Sequence, residues 1–171
     1  MLTYRVAGPW GGSLGGAERG GRRPALDDAA AIAHLINLAF RVEDFFIDGD
    51  RTDEQEVLAL AARGRFLLAE EAGALVGVVY LQREGDRGYF GLLSIEPARQ
   101  RGGLGRALVA AAEDLCRSEG ARHMDLKIVN LRDELPAYYA ALGYRVAGES
   151  QFQVPGKLRR PAHFIHMTKE L

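Results

Sequence analysis

Cysteine is almost absent from this chain. Cys116 is the only one in 171 residues, which excludes an intramolecular disulfide and a thiolate-rich metal site. That scarcity is compatible with a reducing compartment, and a cytoplasmic location is the expectation. No sign of charge prevails either. The 22 Lys and Arg stand against 23 Asp and Glu, a net charge of -1, so nothing steers the whole protein toward nucleic acid or an anionic membrane. No apolar run approaches about 18 residues, so no membrane span is expected. Residues 1–24 hold no apolar core of the signal-peptide kind. His163 and His166 are three positions apart in a strand-like segment and face opposite sides, so they form no compact metal pair. His34 and His123 have no cluster partner, and no metal is expected.

What is present is ordinary globular sequence, 47% apolar and 26% charged, enough for one domain with a single core. Glycine is plentiful at two places. The first lies in residues 1–21, where Gly8-Pro-Trp-Gly-Gly-Ser-Leu-Gly-Gly16 reads as a flexible leader. Trp10 is its one candidate anchor, and Leu2-Thr-Tyr-Arg-Val6 has strand character. The domain proper is expected over 22–171. The second place is Gln100-Arg-Gly-Gly-Leu-Gly105, between a strand and a helix.

The chain between and beyond these points alternates readable elements. Residues 21–26 suit a short first strand. Asp27 or Asp28 caps a helix over 29–40, with Ile32, Leu35, Ile36 and Phe40 on its apolar side. Residues 41–50 break that period. A second helix starts near Thr52 as N-cap and ends at Gly64. Three strands with tight turns follow, at 65–70, 74–82 and 89–95, and are therefore antiparallel. The helix after the glycine turn carries Leu104, Leu108, Ala111 and Leu115 on one face. It leads to a fifth strand at 123–129 through a right-handed parallel crossover. Pro136 opens a short helix that ends at Gly143, and two further strands, at 144–152 and 162–168, close the chain. The expected class is α+β, a three-layer α/β/α arrangement with a mixed, mostly antiparallel sheet of about seven strands.

Strand, glycine turn and helix together suit a phosphate group, because glycine lets the backbone approach and the first helical N–H groups point at the anion. A Walker loop would need Lys-Ser/Thr after the last glycine, where Arg106-Ala107 stands. A dinucleotide fold would put the glycines after the first strand of a βαβ unit, not after a meander.

The stretch Gln100-Arg-Gly-Gly-Leu-Gly105 resembles the (Gln/Arg)-x-x-Gly-x-(Gly/Ala) signature of the GCN5-related N-acetyltransferase superfamily. Leu92-Leu-Ser-Ile-Glu-Pro97 is similar to that fold's fourth strand, and Tyr139-Ala-Ala-Leu-Gly-Tyr144 to its Tyr-x-x-x-Gly-(Phe/Tyr) helix end. The resemblance runs from about Arg22 to Leu171. It implies acetyl-CoA as acyl donor, with no metal. The backbone N–H groups at the positions matching Arg101, Gly103, Gly105 and Arg106 would hold the pyrophosphate, with Gln100, Gly102 and Leu104 completing the cofactor-binding turn. Backbone groups near Leu93 and Ile95 would hold the pantetheine arm, and Asn130 would lie on the cofactor side. Tyr139 would give a proton to the departing thiolate, with Tyr138 as competitor. Asn130 and Tyr139 are nine positions apart where the commoner pattern is about seven, the two extra residues falling in 131–134. Homodimers are common in the resembling family.

Acyl transfer to an amine asks for orientation and proton handling. Roughly one lysine-like amine in 2500 is neutral at pH 7, so a base helps. The strand supplies no inward glutamate. Glu96 at its end is the base candidate. Glu43 and Asp44, in the loop after the first helix, either receive a cationic substrate or form a solvated face. Tyr80 lines the cleft or packs in the sheet. Arg159, in the basic loop 157–160, either receives a substrate anion or is solvated; acid and base together would suit a zwitterion. Cys116 reads as helix packing. The leading expectation is direct N-acetyl transfer to a small-molecule or peptide amine, with no acyl-enzyme. The alternative is a non-catalytic acyl-CoA sensor. Nucleic-acid binding has only the basic loop behind it.

Overall fold

The computed structural model describes residues 1–8 and 26–171. Strand β1 (Leu2–Ala7) is followed by helices α1 (Leu26–Phe40) and α2 (Glu54–Arg63), then by the meander β2 (Arg65–Glu71), β3 (Ala74–Glu84) and β4 (Arg87–Ile95). Helix α3 (Leu104–Ser118), β5 (His123–Val129), α4 (Leu135–Ala141), β6 (Arg145–Gln151) and β7 (His163–Glu170) complete the chain. The seven strands make one sheet in the order β1-β2-β3-β4-β5-β7-β6. Only β4 and β5 run parallel.

Side-chain alternation along the strands divides the core in two. Phe66, Leu68, Val78 and Tyr80 face α1 and α2, packing on Ile32, Ile36 and Val57. Leu67, Ala69, Val79 and Leu81 face the opposite layer, with Leu108, Val109 and Ala112 of α3 and Tyr139 of α4. The hairpin between β2 and β3 turns on Ala72 and Gly73, both at positive φ, the geometry that matches strand twist.

Two expectations change. The first strand is Leu2–Ala7, paired antiparallel with β2, inside the stretch read as leader. The strand expected at 21–26 lies outside the described residues except for Leu26, which is helical; Trp10 lies outside them too. The cap of α2 is Asp53, whose carboxylate accepts from the Glu56 N–H at 2.8 Å. Thr52 turns its hydroxyl to the Glu56 carboxylate instead, at 2.7 Å.

The feature that positions the site is a defect in the β3–β4 ladder. Val78 pairs with Ser94 and Tyr80 with Gly91, so Val79 alone faces Leu92 and Leu93. This is a β-bulge, with Leu92 at φ 53°, and it bends β4. Parallel pairing of β4 with β5 stops after Tyr89↔Asp125, while β5 stays paired with β7 along its whole length. The two strands part beyond that point and leave a wedge.

A polar clamp holds the vertex of the wedge. Arg87 donates to both Asp125 oxygens at 2.7 and 2.6 Å, and the Thr168 hydroxyl donates to Asp125 at 2.7 Å. Burial works against the Asp125 carboxylate, but these bonds outweigh it and hold its pKa below the ordinary carboxylate range. A lowered folded pKa gives stability that is complete above the ordinary value, about 4, and lost as pH falls through the folded one. Asp125→Asn is therefore expected to unfold in less urea than the parent at pH 7, with the difference shrinking below about pH 4. A gap that stays constant with pH would remove the clamp from this account.

Candidate active site

The wedge between β4 and β5 is a cleft of about 960 Å³ that reaches both faces of the sheet. On the α3/α4 face, the chain leaves β4 through a single 3-10 turn at Pro97–Arg99. The Gln100 amide donates back to the Ile95 carbonyl at 3.2 Å and ties the turn to the strand. Arg101 (φ 65°) and Gly103 (φ 82°) then swing the backbone so that α3 starts without a side-chain cap. Its first N–H groups have no side-chain partner, an arrangement that suits an anion. Gln100, Arg101, Gly103, Gly105 and Arg106 line the cleft. A Cβ on Gly105 would come within 3.2 Å of the Tyr138 hydroxyl, so glycine there lets helix and tyrosine close together. Gly102 and Leu104 do not line the cleft; Leu104 packs on the core.

Leu93 and Ile95 line the strand side, together with Leu92. Ser94 is buried and bonds the Leu92 carbonyl at 2.9 Å inside the bulge. Tyr138 and Tyr139 of α4 both reach the cleft. Tyr139 is 6% exposed and wedged among Phe90, Tyr138 and Tyr144. Its hydroxyl has no hydrogen-bond partner among the described residues, and burial pushes its pKa well up, so it stays protonated.

On the α1/α2 face the lining changes character. Glu43 sits in a 3-10 turn after α1, 4% exposed. One of its oxygens accepts from Arg132 at 3.3 Å; the other has no hydrogen-bond partner among the described residues. Burial raises its pKa, while Arg132 and Arg51 pull it down. Arg132 also donates to Glu134 at 2.6 Å. Arg51 lies over the Phe40 ring at 5.4 Å, and the Lys127 ammonium lies between the rings of Tyr89 and Phe164 at 5.8 and 5.4 Å.

Several expected site residues are elsewhere. Glu96 stands at the end of β4, off the cleft. Asn130 knits β5 to β7, its side chain accepting from the His163 N–H at 2.8 Å and its own N–H donating to the His163 carbonyl at 2.9 Å. Tyr80 is 3% exposed in the α1/α2 core and donates to the Leu60 carbonyl at 3.1 Å. Asp44 is exposed beside a smaller cavity of about 300 Å³, where Arg159 is engaged by Asp48. Burial pushes the Cys116 thiol up to about 11, which disarms it as a nucleophile. Arg51, Lys127 and Arg132 were not anticipated. The one available signal was His123-Met-Asp-Leu-Lys-Ile-Val129, whose alternation puts Asp125 and Lys127 on the face away from Leu126 and Ile128.

A sheet opened by a bulge, with an uncapped helix start on one side of the opening and a charged mouth on the other, fits an acyltransferase that uses an acyl-CoA. The chain belongs to the acetyltransferase (GNAT) family, whose model matches residues 29–144. Solved structures agree on the fold. The ribosomal-protein-S18-alanine N-acetyltransferase of Escherichia coli superposes with a TM-score of 0.68 at 16% identity, covering 98% of this chain and 94% of that one. An IAA acetyltransferase from Bacillus cereus gives 0.65 at 14% identity with both chains fully covered. A GNAT family acetyltransferase from Elizabethkingia anophelis, solved with acetyl-CoA bound, gives 0.65 at 13% identity, covering 99% and 98%. A comparison with curated protein sequences finds no match.

Proposed function

We propose that this protein transfers an acetyl group from acetyl-CoA directly to a primary amine of a small molecule or peptide. The observation that carries the reading is the wedge itself. Its α3 mouth joins an uncapped helix start to Arg101 and Arg106, neither of which has a carboxylate partner among the described residues. That donor set fits a diphosphate, and the open edges of β4 fit an amide-bearing arm. When bound, acetyl-CoA supplies an activated acetyl group.

The chain's own residues handle orientation and protons. The amine enters as an ammonium and meets the free oxygen of Glu43, which takes a proton from it and leaves the nitrogen lone pair free. As the carbon–nitrogen bond forms and the carbon–sulfur bond breaks, Tyr139 donates a hydrogen bond to the sulfur. A hydroxyl held well above the thiol range does not give up its proton unaided. The proton that ends on the thiol comes from the attacking nitrogen, which loses it as the carbon–sulfur bond breaks, and the proton taken by Glu43 returns to solvent. Among the described residues no side chain lining the cleft is set up as a nucleophile, which supports direct transfer over an acyl-enzyme. The single buried cysteine suits a cytoplasmic enzyme. The β6 edge, exposed along all seven residues, suits pairing with a second copy, and sedimentation velocity would show a monomer if that is wrong.

The test is titration of acetyl-CoA by calorimetry, followed by thiol release with a panel of amines. Binding at about micromolar strength, near the usual range for enzyme substrates, with turnover of one amine class is the expected result. Binding with no turnover of any amine assigns the protein as an acyl-CoA sensor instead.

A further inference from the structure

The acceptor mouth holds more positive charge than its acids neutralise. Arg132 is spent on Glu43 and Glu134. Arg51 and Lys127 remain, and neither has a carboxylate or hydrogen-bond partner among the described residues. Both line the same cleft as Glu43. Each is held against aromatic rings, which fixes its stem while leaving its donors free. Arg51 lies against Phe40 at 5.4 Å and Lys127 against Tyr89 and Phe164 at 5.8 and 5.4 Å. The three rings, the two cations and the buried Glu43 carboxylate all line the one cleft. Arg159, the other basic candidate, is occupied by Asp48 and lines a neighbouring cavity rather than the cleft.

We propose that Arg51 and Lys127 form the anion-recognition element of the acceptor site, and that the acceptor is a small primary amine carrying a carboxylate, whose ammonium meets Glu43. The inference rests on the acetyltransferase reading and narrows it. A polycationic acceptor would place its further charges against Arg51 and Lys127. A simple amine would leave both cations without a partner and gain nothing from them. A zwitterion of amino-acid size satisfies all three groups at once, with the carboxylate fork suited to guanidinium geometry.

The experiment compares amino acids with their decarboxylated amines, their amides and a phosphate-bearing amine, each with saturating acetyl-CoA. Wild-type kcat/KM is expected to be roughly ten- to hundredfold higher for the best amino acid than for its decarboxylated amine or amide, the range for one charge-assisted contact. Lys127→Gln, an exposed position, and Arg51→Gln are each expected to bring that ratio down about tenfold through KM. Lys127→Glu is expected to invert it. Acetyl-CoA affinity by calorimetry certifies that each variant is folded. Equal or better turnover of amines without the carboxylate overturns the inference while leaving the acetyltransferase intact. A tenfold preference for the phosphate-bearing amine overturns the carboxylate assignment. Acetyl-CoA binding without acetylation of any amine is the failure of the enzyme reading, and takes this inference with it.

Discussion

Tyr139→Phe is expected to lower kcat about a hundredfold, the low end of what a positioned acid contributes, and to leave acetyl-CoA affinity within about twofold. The substitution is clean because of how Tyr139 is held. Its ring is fixed by Phe90 at 5.9 Å, Tyr144 at 6.0 Å and Tyr138 at 5.1 Å, and phenylalanine keeps all three contacts. The hydroxyl has no partner in the described protein, so removing it orphans no donor or acceptor. Stability should change by less than about 1 kcal/mol. Any loss of rate then reports on the proposed hydrogen bond from that hydroxyl to the sulfur. Tyr138→Phe is the control: its hydroxyl lies over Gly105, at the phosphate end, and its loss should appear in acetyl-CoA affinity more than in kcat. Equal rates for Tyr139→Phe and the parent would end the donor role.

The second large effect is on stability. Glu113 of α3 is 7% exposed and accepts three hydrogen bonds, from the Tyr144 hydroxyl at 2.7 Å and from Lys169 Nζ at 3.0 and 2.9 Å. Burial, then this bond to Glu113, drives the Tyr144 pKa far up. The network ties the phosphate helix to the chain just after α4 and to β7. Glu113→Ala leaves the Tyr144 hydroxyl unpaired and Lys169 without its counter-charge. Breaking a buried pair from one side costs about 3–5 kcal/mol. Lys169 keeps a quarter of its side chain in water, so about 2–3 kcal/mol is the discounted expectation. For a chain of this size that is a fall of roughly 5–10 °C in Tm. Glu113→Gln retains an acceptor for Tyr144 and should lose less. A change below about 1 kcal/mol in urea unfolding would mean that the network adds little.

The turn that lines one end of the cleft was legible because it is local. The turn from Gln100 to Arg106 is seven consecutive residues, and its demands on glycine are backbone demands that can be read one position at a time. The position of Tyr139 at the cleft was legible for the same reason, since the helix end at Gly143 sets its phase. Asn130 misled because its side chain had a choice between the cleft and the β7 backbone. The His163 amide, 33 residues away, took it. Tyr80 misled in the same way: strand alternation allows two faces, and the side chosen was the one covered by α1 and α2. Glu96 lies at the end of a strand whose bulge had shifted the register by one residue, which changes what the end of that strand can reach.

By itself the sequence determined the order of the elements, the antiparallel meander, the parallel crossover, the glycine turn and the helix carrying Tyr139. All of these follow from period, turn chemistry and backbone donors within a few residues. Tertiary structure alone decided where β4 leaves β5, which opens the cleft, and which charges stand at its α1/α2 mouth. Glu43 comes from the turn after α1, Arg51 from the loop before α2, Lys127 from β5 and Arg132 from the loop after it. No spacing in the chain relates them. They meet because the bulge at Leu92 opens the sheet and because the Ile47–Leu158 bridge and the Phe46 cluster draw two distant loops together. Contacts of that range depend on the packing of the whole sheet, and a local reading cannot reach them.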